Sequence, residues 1–492
     1  MQQLTKLLQQ KQFAFLKRLQ KVHPRAEVFL VGGIIRDTIL KRESKDYDFV
    51  VRNVPIKKLQ QFLAQEGWVD LVGKNFGVLK FIPKQFQQIK QFEPIDIALP
   101  RTEHAFLTGG YRDFAVQSDA KLPIEEDLKR RDFTINALAY DIKNKKLIDL
   151  FDGLGDIKKK QIKTVGKPEQ RFKEDYSRLL RAIRFACQLS FNVEPRTWNA
   201  VQKLMKNINN KKDADFIVPR ETIAKELVKA FTANPVRAFE LFDKSGATKE
   251  LMPELLTMKK CPQPRNFHSE GNVWRHTTIA LGNLQSKKFI KEFGKSEPSA
   301  ALVFGLMFHD LGKPYTMIRA DRLRYNNHDA FSAEKAGEIM ERLKLASAGV
   351  DVDKTVWLVS RHMIVTHTKK SAMKKTTLEK YFYNPQNPGQ DLMKLMHADI
   401  EASIPSSGKP DFSGYIRLKK EIDSLKKTAR KKTELPKEIL NGFEIMKALN
   451  LPPGPQIGKL KEVLREEQLK GKIKTKQRAL AFLKKNRYAA NI

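Results

Sequence analysis

The stretch LVGGIIRDTILKRESKDYDFV at residues 30–50 constrains this chain more than any other. An apolar run from Val28 to Val31 ends at Gly32-Gly33. A helical pattern follows, and Asp46-Tyr47-Asp48 leads into a second apolar run, Phe49 to Val51. Paired glycines after a strand let the backbone come close to phosphate oxygens. Residues two apart on a strand share a face, so Asp46 and Asp48 are expected to project together. Adjacent carboxylates repel unless a cation sits between them. Hard Mg2+, held by carboxylates together with substrate phosphates, is the natural occupant. Asp96, in the short apolar run PIDIAL, offers a third carboxylate. In two-metal chemistry one ion activates an attacking oxygen and the other steadies a triphosphate. A lone DxD is usually a turn or a solvated strand end; Gly32-Gly33 before it and Asp96 after it turn the reading to metal-assisted transfer of a nucleotide.

Composition narrows the partner. Lys and Arg number 92 against 56 Asp and Glu, a net charge of +36. Such an excess favours a polyanion, and nucleic acid over an anionic membrane. The longest apolar run, Ala301 to Phe308, is far too short to span a bilayer. Met1 to Val22 is polar, interrupted by Lys and Gln, and reads as an amphipathic helix bearing Leu4, Leu7, Leu8, Phe15 and Leu19 rather than a secretory signal. Cys187 and Cys261 are the only cysteines. That excludes a disulfide framework and suits a reducing, cytoplasmic setting. No signal bears on oligomeric state.

At 492 residues the chain exceeds one compact core. Apolar runs at 28–31, 47–51, 77–82, 94–98 and 147–150 predict strands mixed with helices, an α+β module over 1–150. From 151 to 262 helical spacing takes over, with Leu179, Ile183 and Ala186 at i, i+4, i+7. CPQPRNF (261–267) reads as a linker. A helical block over 263–405 holds every histidine except His23 and His104. After the break SIPSSGKPDFSG, residues 406–492 are helical and lysine-rich.

Two further strings carry chemistry. In RRDFTINALAYD (130–141), Arg130 and Arg131 offer guanidinium forks for phosphate. Asp132 and Asn136 fall at i, i+4 if the string is helical, and Asn136 would suit a ribose hydroxyl. In KEDYSRLLRAIRF (173–185), Asp175 and Arg178 share a helix face. The bland account is a surface ion pair. The functional one is base selection: a carboxylate accepts and a guanidinium donates, which matches the amino group and ring nitrogen of cytosine and adenine and mismatches uracil and guanine. Arg181 and Arg184 are expected to add phosphate or RNA contacts.

LVGGIIRD with DYD, RRDFTINALAYD and EDYSRLLRAIRF occur in this order in the class II tRNA nucleotidyltransferases, the CCA-adding enzymes, and in the related bacterial poly(A) polymerases. The chain resembles that family over about residues 25–255. The resemblance implies a polymerase-β-like head and a helical neck. It implies that Asp46 and Asp48 hold Mg2+, that Gly32, Gly33 and Arg36 line a triphosphate pocket, and that Glu174, Asp175 and Arg178 read ATP or CTP. VPRETIAKEL (218–227) is similar to a further motif, with Arg220 and Glu221 in its usual places. The stretch 102–126 resembles the loop that helps the family switch from C to A.

The histidine block resembles the HD phosphohydrolases. His309-Asp310 in LMFHDLGK is its centre, with His276 upstream in HSEGNVWRHT and Asp399 downstream in LMHADI. That order implies a divalent transition-metal site. His328 and His362 match positions that bind a second metal in some members. Met363 follows His362 where such members often have a second histidine, and Asp329 follows His328 where Glu is common; His367 is a substitute candidate, and one and two metals both stay open. Bacterial CCA-adding enzymes carry an HD domain after the neck, which implies phosphohydrolase activity on RNA ends or nucleotides. Asn441-Gly442 and Pro453-Gly454-Pro455 resemble the C-terminal part of those enzymes, implying a helical tRNA-binding tail.

The expected activity is addition of C, C and A to tRNA 3′ ends from CTP and ATP without a nucleic-acid template. A poly(A) polymerase and an A-adding or CC-adding enzyme are the neighbouring alternatives. From another class come a catalytically inactive RNA-binding protein and an HD nucleotide hydrolase with the head as sensor.

Overall fold

In the computed structural model, the described residues are 2–72, 77–89, 92–105, 109–110, 114–365, 372–426 and 435–486. They fall into two compact units, Met1–Leu251 and Met252–Ile492. No described helix is long and apolar enough to cross a membrane.

The first unit is built on a seven-stranded sheet. Its strands are β1 (Glu27–Val31), β2 (Asp48–Arg52), β3 (Gly67–Val72), β4 (Val78–Pro83), β5 (Ile95–Ala98), β8 (Leu138–Asp141) and β9 (Lys146–Asp149). A separate hairpin pairs β6 (Arg101–Ala105) with β7 (Phe114–Ser118). The sheet order is β3-β4-β5-β2-β1-β8-β9. Only β2 and β5 run parallel, and this sets Asp48 beside Asp96. Alternation explains β4, where Leu79 and Phe81 are buried. Central β1 is buried almost throughout and reads as a continuous apolar run.

Several expectations change here. The N-terminal segment is two helices, Gln2–Leu7 and Ala14–Val22, broken by a 3-10 turn that buries Phe13. β3, β6, β7 and β8 were not expected. β3 is largely exposed, and β8 lies inside RRDFTINALAYD, the string in which Asp132 and Asn136 would fall at i, i+4 if it were helical. Residues 134–136 form one 3-10 turn and residues 138–141 a strand, because Leu138 and Tyr140 belong to the sheet core. Within 102–126, residues 106–108 and 111–113 lie outside the described residues.

Helices Pro168–Glu174, Ser177–Leu189, Pro195–Leu204, Arg220–Ala233 and Pro235–Ser245 complete this unit. Leu179, Ile183 and Ala186 are fully buried, as their spacing requires.

Among its described residues, the second unit is helical apart from a small hairpin, Met317–Arg319 with Leu323–Tyr325. The apolar run Ala301–Phe308 belongs to a helix buried on every side. Around it pack Val273–Asn283, His328–Arg342, Val352–Val359 and Gly389–Ala402. The stretch 261–267 is no free linker: Cys261 and Gln263 are buried, and the Cys261 carbonyl accepts from the Val273 amide. Helices Gly442–Leu449, Pro455–Leu469 and Lys476–Lys485 close their own core with Leu440, Ile445, Leu460 and Leu464. Asn441 and Glu444 form a capping box, and Pro455 opens its helix at the first turn. Buried Arg465 ties this bundle to Glu379 of the Lys375–Phe382 helix.

Candidate active site and metal centre

One cavity of about 740 Å³ in the first unit gathers Asp48, Asp96, Arg131, Asp132, Asp175, Arg178 and Arg181. Asp48 opens β2 and Asp96 sits opposite it on β5. Asp46 lies before the strand begins and is exposed, so the shared strand face expected for it is not formed. Burial, partly offset by Arg131 and reinforced by the charges of Asp96 and Asp46, pushes Asp48 up to about 6. A carboxyl held this way gains from a divalent cation, so the acidic group fits the metal its chemistry implies.

Gly32 closes β1 with φ +81°. A Cβ there would lie 2.8 Å from Arg131 Nη1 and 3.5 Å from Asp48 Oδ2, so only glycine leaves this cradle open. Gly33 begins the Gly33–Ile39 helix. Arg131 donates to Asp127 Oδ2 at 3.0 Å, while its buried Nε has no acceptor among the described residues. Arg130 binds the other Asp127 oxygen. Burial opposes the charge on Asp127, yet the two arginines hold its carboxyl below the usual range. Arg36 is not turned to phosphate here: it is buried, paired with Asp37 at 2.8 Å and hydrogen-bonded to Asn136 Oδ1.

Asp132 and Asn136 meet without a helix, Asn136 Nδ2 donating to Asp132 Oδ1 at 3.0 Å. The other Asp132 oxygen takes two bonds from Arg181, at 2.9 and 2.7 Å. Burial disfavours the Asp132 charge, but Arg181 and Asn136 hold the carboxyl well down. The side chains of Asn136 and Asp132 are thus committed to each other and to arginines.

Asp175 and Arg178 do not share a helix. Asp175 is the extended residue ending Pro168–Glu174, and Arg178 stands in the first turn of Ser177–Leu189. Asp175 Oδ1 accepts from the Ser177 amide at 2.8 Å. Arg178 is fixed by Glu174, Nη1 to Oε2 at 2.7 Å, with Asp175 Oδ2 farther off at 3.9 Å. Glu174 therefore orients the guanidinium, while Asp175 and Arg178 both line the cavity. Tyr176, between them, donates its amide to the Gly109 carbonyl at 3.0 Å.

Lys80, Thr222 and Glu226 also line this cavity and were not anticipated. Lys80 stands in an alternating strand without a motif. Thr222 and Glu226 fall inside the quoted VPRETIAKEL, where the expectation rested on Arg220 and Glu221. Arg220 instead donates to Asn209, and Glu226 pairs with Arg184.

The second unit gathers the histidines. His276, His309 and Asp310 form one buried group, and Asp310, His328 and His362 another that shares Asp310. Asp399 Oδ1 lies 2.9 Å from His276 Nε2 and 3.5 Å from His309 Nε2. His309, His328 and His362 each point Nδ1 at the carbonyl three residues earlier, at 2.7, 2.8 and 2.7 Å. A carbonyl only accepts, so Nδ1 carries the proton and Nε2 is directed inward, the tautomer a metal ligand needs. The Nε2 atoms of His309 and His276 are 3.3 Å apart, those of His328 and His362 3.2 Å. Burial opposes protonation of His309, but Asp310 and Asp399 lift it to about 10. Burial together with His309 and His328 pushes His362 down to about 4. These donors fit one or two divalent transition-metal ions.

Glu270, inside the quoted HSEGNVWRHT, accepts from His268 and His276 at 2.7 and 2.8 Å. Lys313 reaches Asp310 Oδ2 at 2.6 Å and Gln263 at 2.9 Å. Neither Glu270 nor Lys313 was singled out from sequence. Asp329 stands in the first turn of the His328–Arg342 helix, and His367 lies outside the described residues. The thiols of Cys187 and Cys261 are buried and pushed up to about 12 and about 11, which leaves them unreactive.

The family described as the poly A polymerase head domain matches residues 28–163. An A-adding tRNA nucleotidyltransferase of Deinococcus radiodurans is 29% identical over 370 residues, covering 74% of this chain and 79% of that protein. A multifunctional CCA protein of Neisseria gonorrhoeae is 32% identical over 357 residues, covering 71% of this chain and 78% of its own. The crystal structure of the Bacillus stearothermophilus CCA-adding enzyme in complex with CTP matches in fold with a TM-score of 0.62 at 18% identity, over 100% of this chain and 98% of that one.

Proposed function

The chain belongs to the class II tRNA nucleotidyltransferases, and from that premise we propose that it adds C, C and A to the 3′ end of tRNA, using CTP and ATP with no nucleic-acid template. One observation supports this most: a single cavity joins the Asp48–Asp96 pair to the Asp175–Arg178 pair. The first pair suits phosphoryl chemistry and the second suits a base.

In this reading Asp46, Asp48 and Asp96 hold Mg2+. Bound there, the ion lowers the pKa of the acceptor hydroxyl and offsets charge on the triphosphate. The chain's own groups do the rest. Gly32 and Gly33 let the backbone approach the phosphates, and Arg131 offers its unpaired buried Nε to them. Asp175 accepts from the exocyclic amino group of C or A, and Arg178, oriented by Glu174, donates to the ring nitrogen. Uracil or guanine would leave buried donors and acceptors unpaired, a mismatch that rejects by large factors. Asp132, Asn136 and Arg181 brace this wall.

The second unit is proposed to be a metal-dependent phosphohydrolase acting on RNA ends or nucleotides. His276, His309, Asp310 and Asp399 would hold the metal, and His328 and His362 a second one with Asp310. The C-terminal helices are proposed to bind tRNA.

A narrower activity, addition of the terminal A alone, has a specific point in its favour in the Deinococcus radiodurans protein named for it. Truncated tRNAs separate the two. A tRNA lacking all three residues, given CTP and ATP together, is expected to gain three nucleotides. Extension only of tRNA already ending in CC would establish the narrower activity. Unlimited A addition without use of CTP would refute both.

A further inference from the structure

A transverse row crosses the head sheet. Val31 of β1 is registered with Asp48 of β2, Asp48 with Asp96 of β5, and Asp96 with Lys80 of β4. Directly opposed residues of neighbouring strands place their side chains on one face. Gly32, with its open cradle beside Arg131, stands just past the β1 end of this row. Lys80 stands at the other end, and both border the same cavity or its wall.

Lys80 Nζ lies 2.8 Å from Asp96 Oδ1, with side-chain exposures of 39% and 36%. A pair this open adds little to stability. Its position therefore calls for another account. A fixed positive charge beside a carboxylate competes with a cation there, a cost unless the ammonium has a second partner. Under the proposed function the incoming triphosphate takes the glycine end of the row. The face left at Asp96 and Lys80 is where the acceptor strand would present its 3′-hydroxyl. The nucleotide that carries such a hydroxyl is joined to the one before it by a phosphodiester at its 5′ oxygen. An ammonium on a flexible four-carbon stem suits that phosphate without reading a base.

We propose that Lys80 binds the acceptor RNA through the phosphodiester nearest its 3′ end. It thereby sets the terminal hydroxyl against Asp48 and Asp96. This rests on the reading of the carboxylate row as the nucleotidyl-transfer site.

The test uses full-length Lys80→Met and Lys80→Arg beside the wild type. Binding of truncated tRNA is followed by fluorescence anisotropy across a salt series, and steady-state kinetics are measured for tRNA, CTP and ATP. Loss of one phosphate contact should make the slope of log K against log salt shallower by about 0.7 to 0.9 in Lys80→Met. The KM for tRNA should rise with the KM values for CTP and ATP unchanged, and Lys80→Arg should keep the wild-type slope. A wild-type slope and tRNA KM in Lys80→Met overturn the proposal even if kcat falls, since Lys80 would then serve Asp96 alone. A rise confined to the nucleotide KM values overturns it as well. A wild type that adds no nucleotide refutes the parent reading and this one with it; an active wild type with an unshifted variant refutes only this one.

Discussion

Asp48 is a carboxyl whose burial works against its charge, and that conflict makes its behaviour testable. Its value near 6 lies above that of an unfolded chain. The sign follows: folding gains from Asp48 below the unfolded value of 3.8, and the gain is lost as pH rises through about 6. A divalent cation needs the ionised form and so competes with the proton. Metal affinity and transfer rate should fall together below about pH 6, with a midpoint that moves lower as Mg2+ is raised. Metal titrations at a series of pH values check this; an affinity flat across that range contradicts it. Gly32 sets a second residue-scale limit. Gly32→Ala would put a Cβ 2.8 Å from Arg131 Nη1 at a φ of +81°. With ψ at −144° this backbone lies in a region essentially reserved to glycine and costs an alanine on the order of 1–3 kcal/mol. Nucleotide KM should rise about tenfold or more, as displacing Arg131 removes a charge-assisted phosphate contact. An unchanged KM would mean that the cradle does not hold the triphosphate.

Elements decide which of these residues the sequence makes legible. The Gly-Gly turn, the strand of Asp48 and the strand of Asp96 carry strong apolar runs, so their strands could be read directly. Asp46 could not be placed the same way, because strand pairing starts only at Asp48. In RRDFTINALAYD the i, i+4 spacing of Asp132 and Asn136 suggested a helix, yet Leu138 and Tyr140 pull the string into the sheet. The two side chains still meet, across a 3-10 turn. Asp175 sits in a break that helical periodicity hides, since helical spacing resumes at once with Leu179 and Ile183. Glu226 shows the same limit: its partner Arg184 lies on another helix, a pairing local spacing does not encode. Glu226→Ala would remove the carboxylate partner of the buried Arg184 guanidinium and leave it only the neutral Gln188 acceptor among the described residues. Removing one partner of a buried pair costs about 3 to 5 kcal/mol, so thermal melting should register a clear loss. A melting point within a degree or so of wild type would mean that water replaces this pair.

At the scale of the whole molecule, each compact unit gathers its own cluster of ionisable side chains, and the proposed transferase and hydrolase activities are assigned one to each. Carboxylates and arginines line the cavity of the first, and imidazoles and carboxylates gather in the second. The independence of the two activities is testable. Asp48→Ala should abolish nucleotide incorporation and leave hydrolysis of a phosphodiester probe intact, while Asp310→Ala should do the reverse. Incorporation that survives Asp48→Ala would remove that residue from the site. The measurement closest to the central claim, that the protein itself selects the base, is the relative use of UTP and CTP by wild type, Asp175→Ala and Arg178→Ala on truncated tRNA. Wild type should refuse UTP and GTP. Each variant should narrow the preference for CTP over UTP by about a hundredfold or more, as expected when a site built to pair polar groups loses them. Unchanged selectivity in both variants would contradict the account.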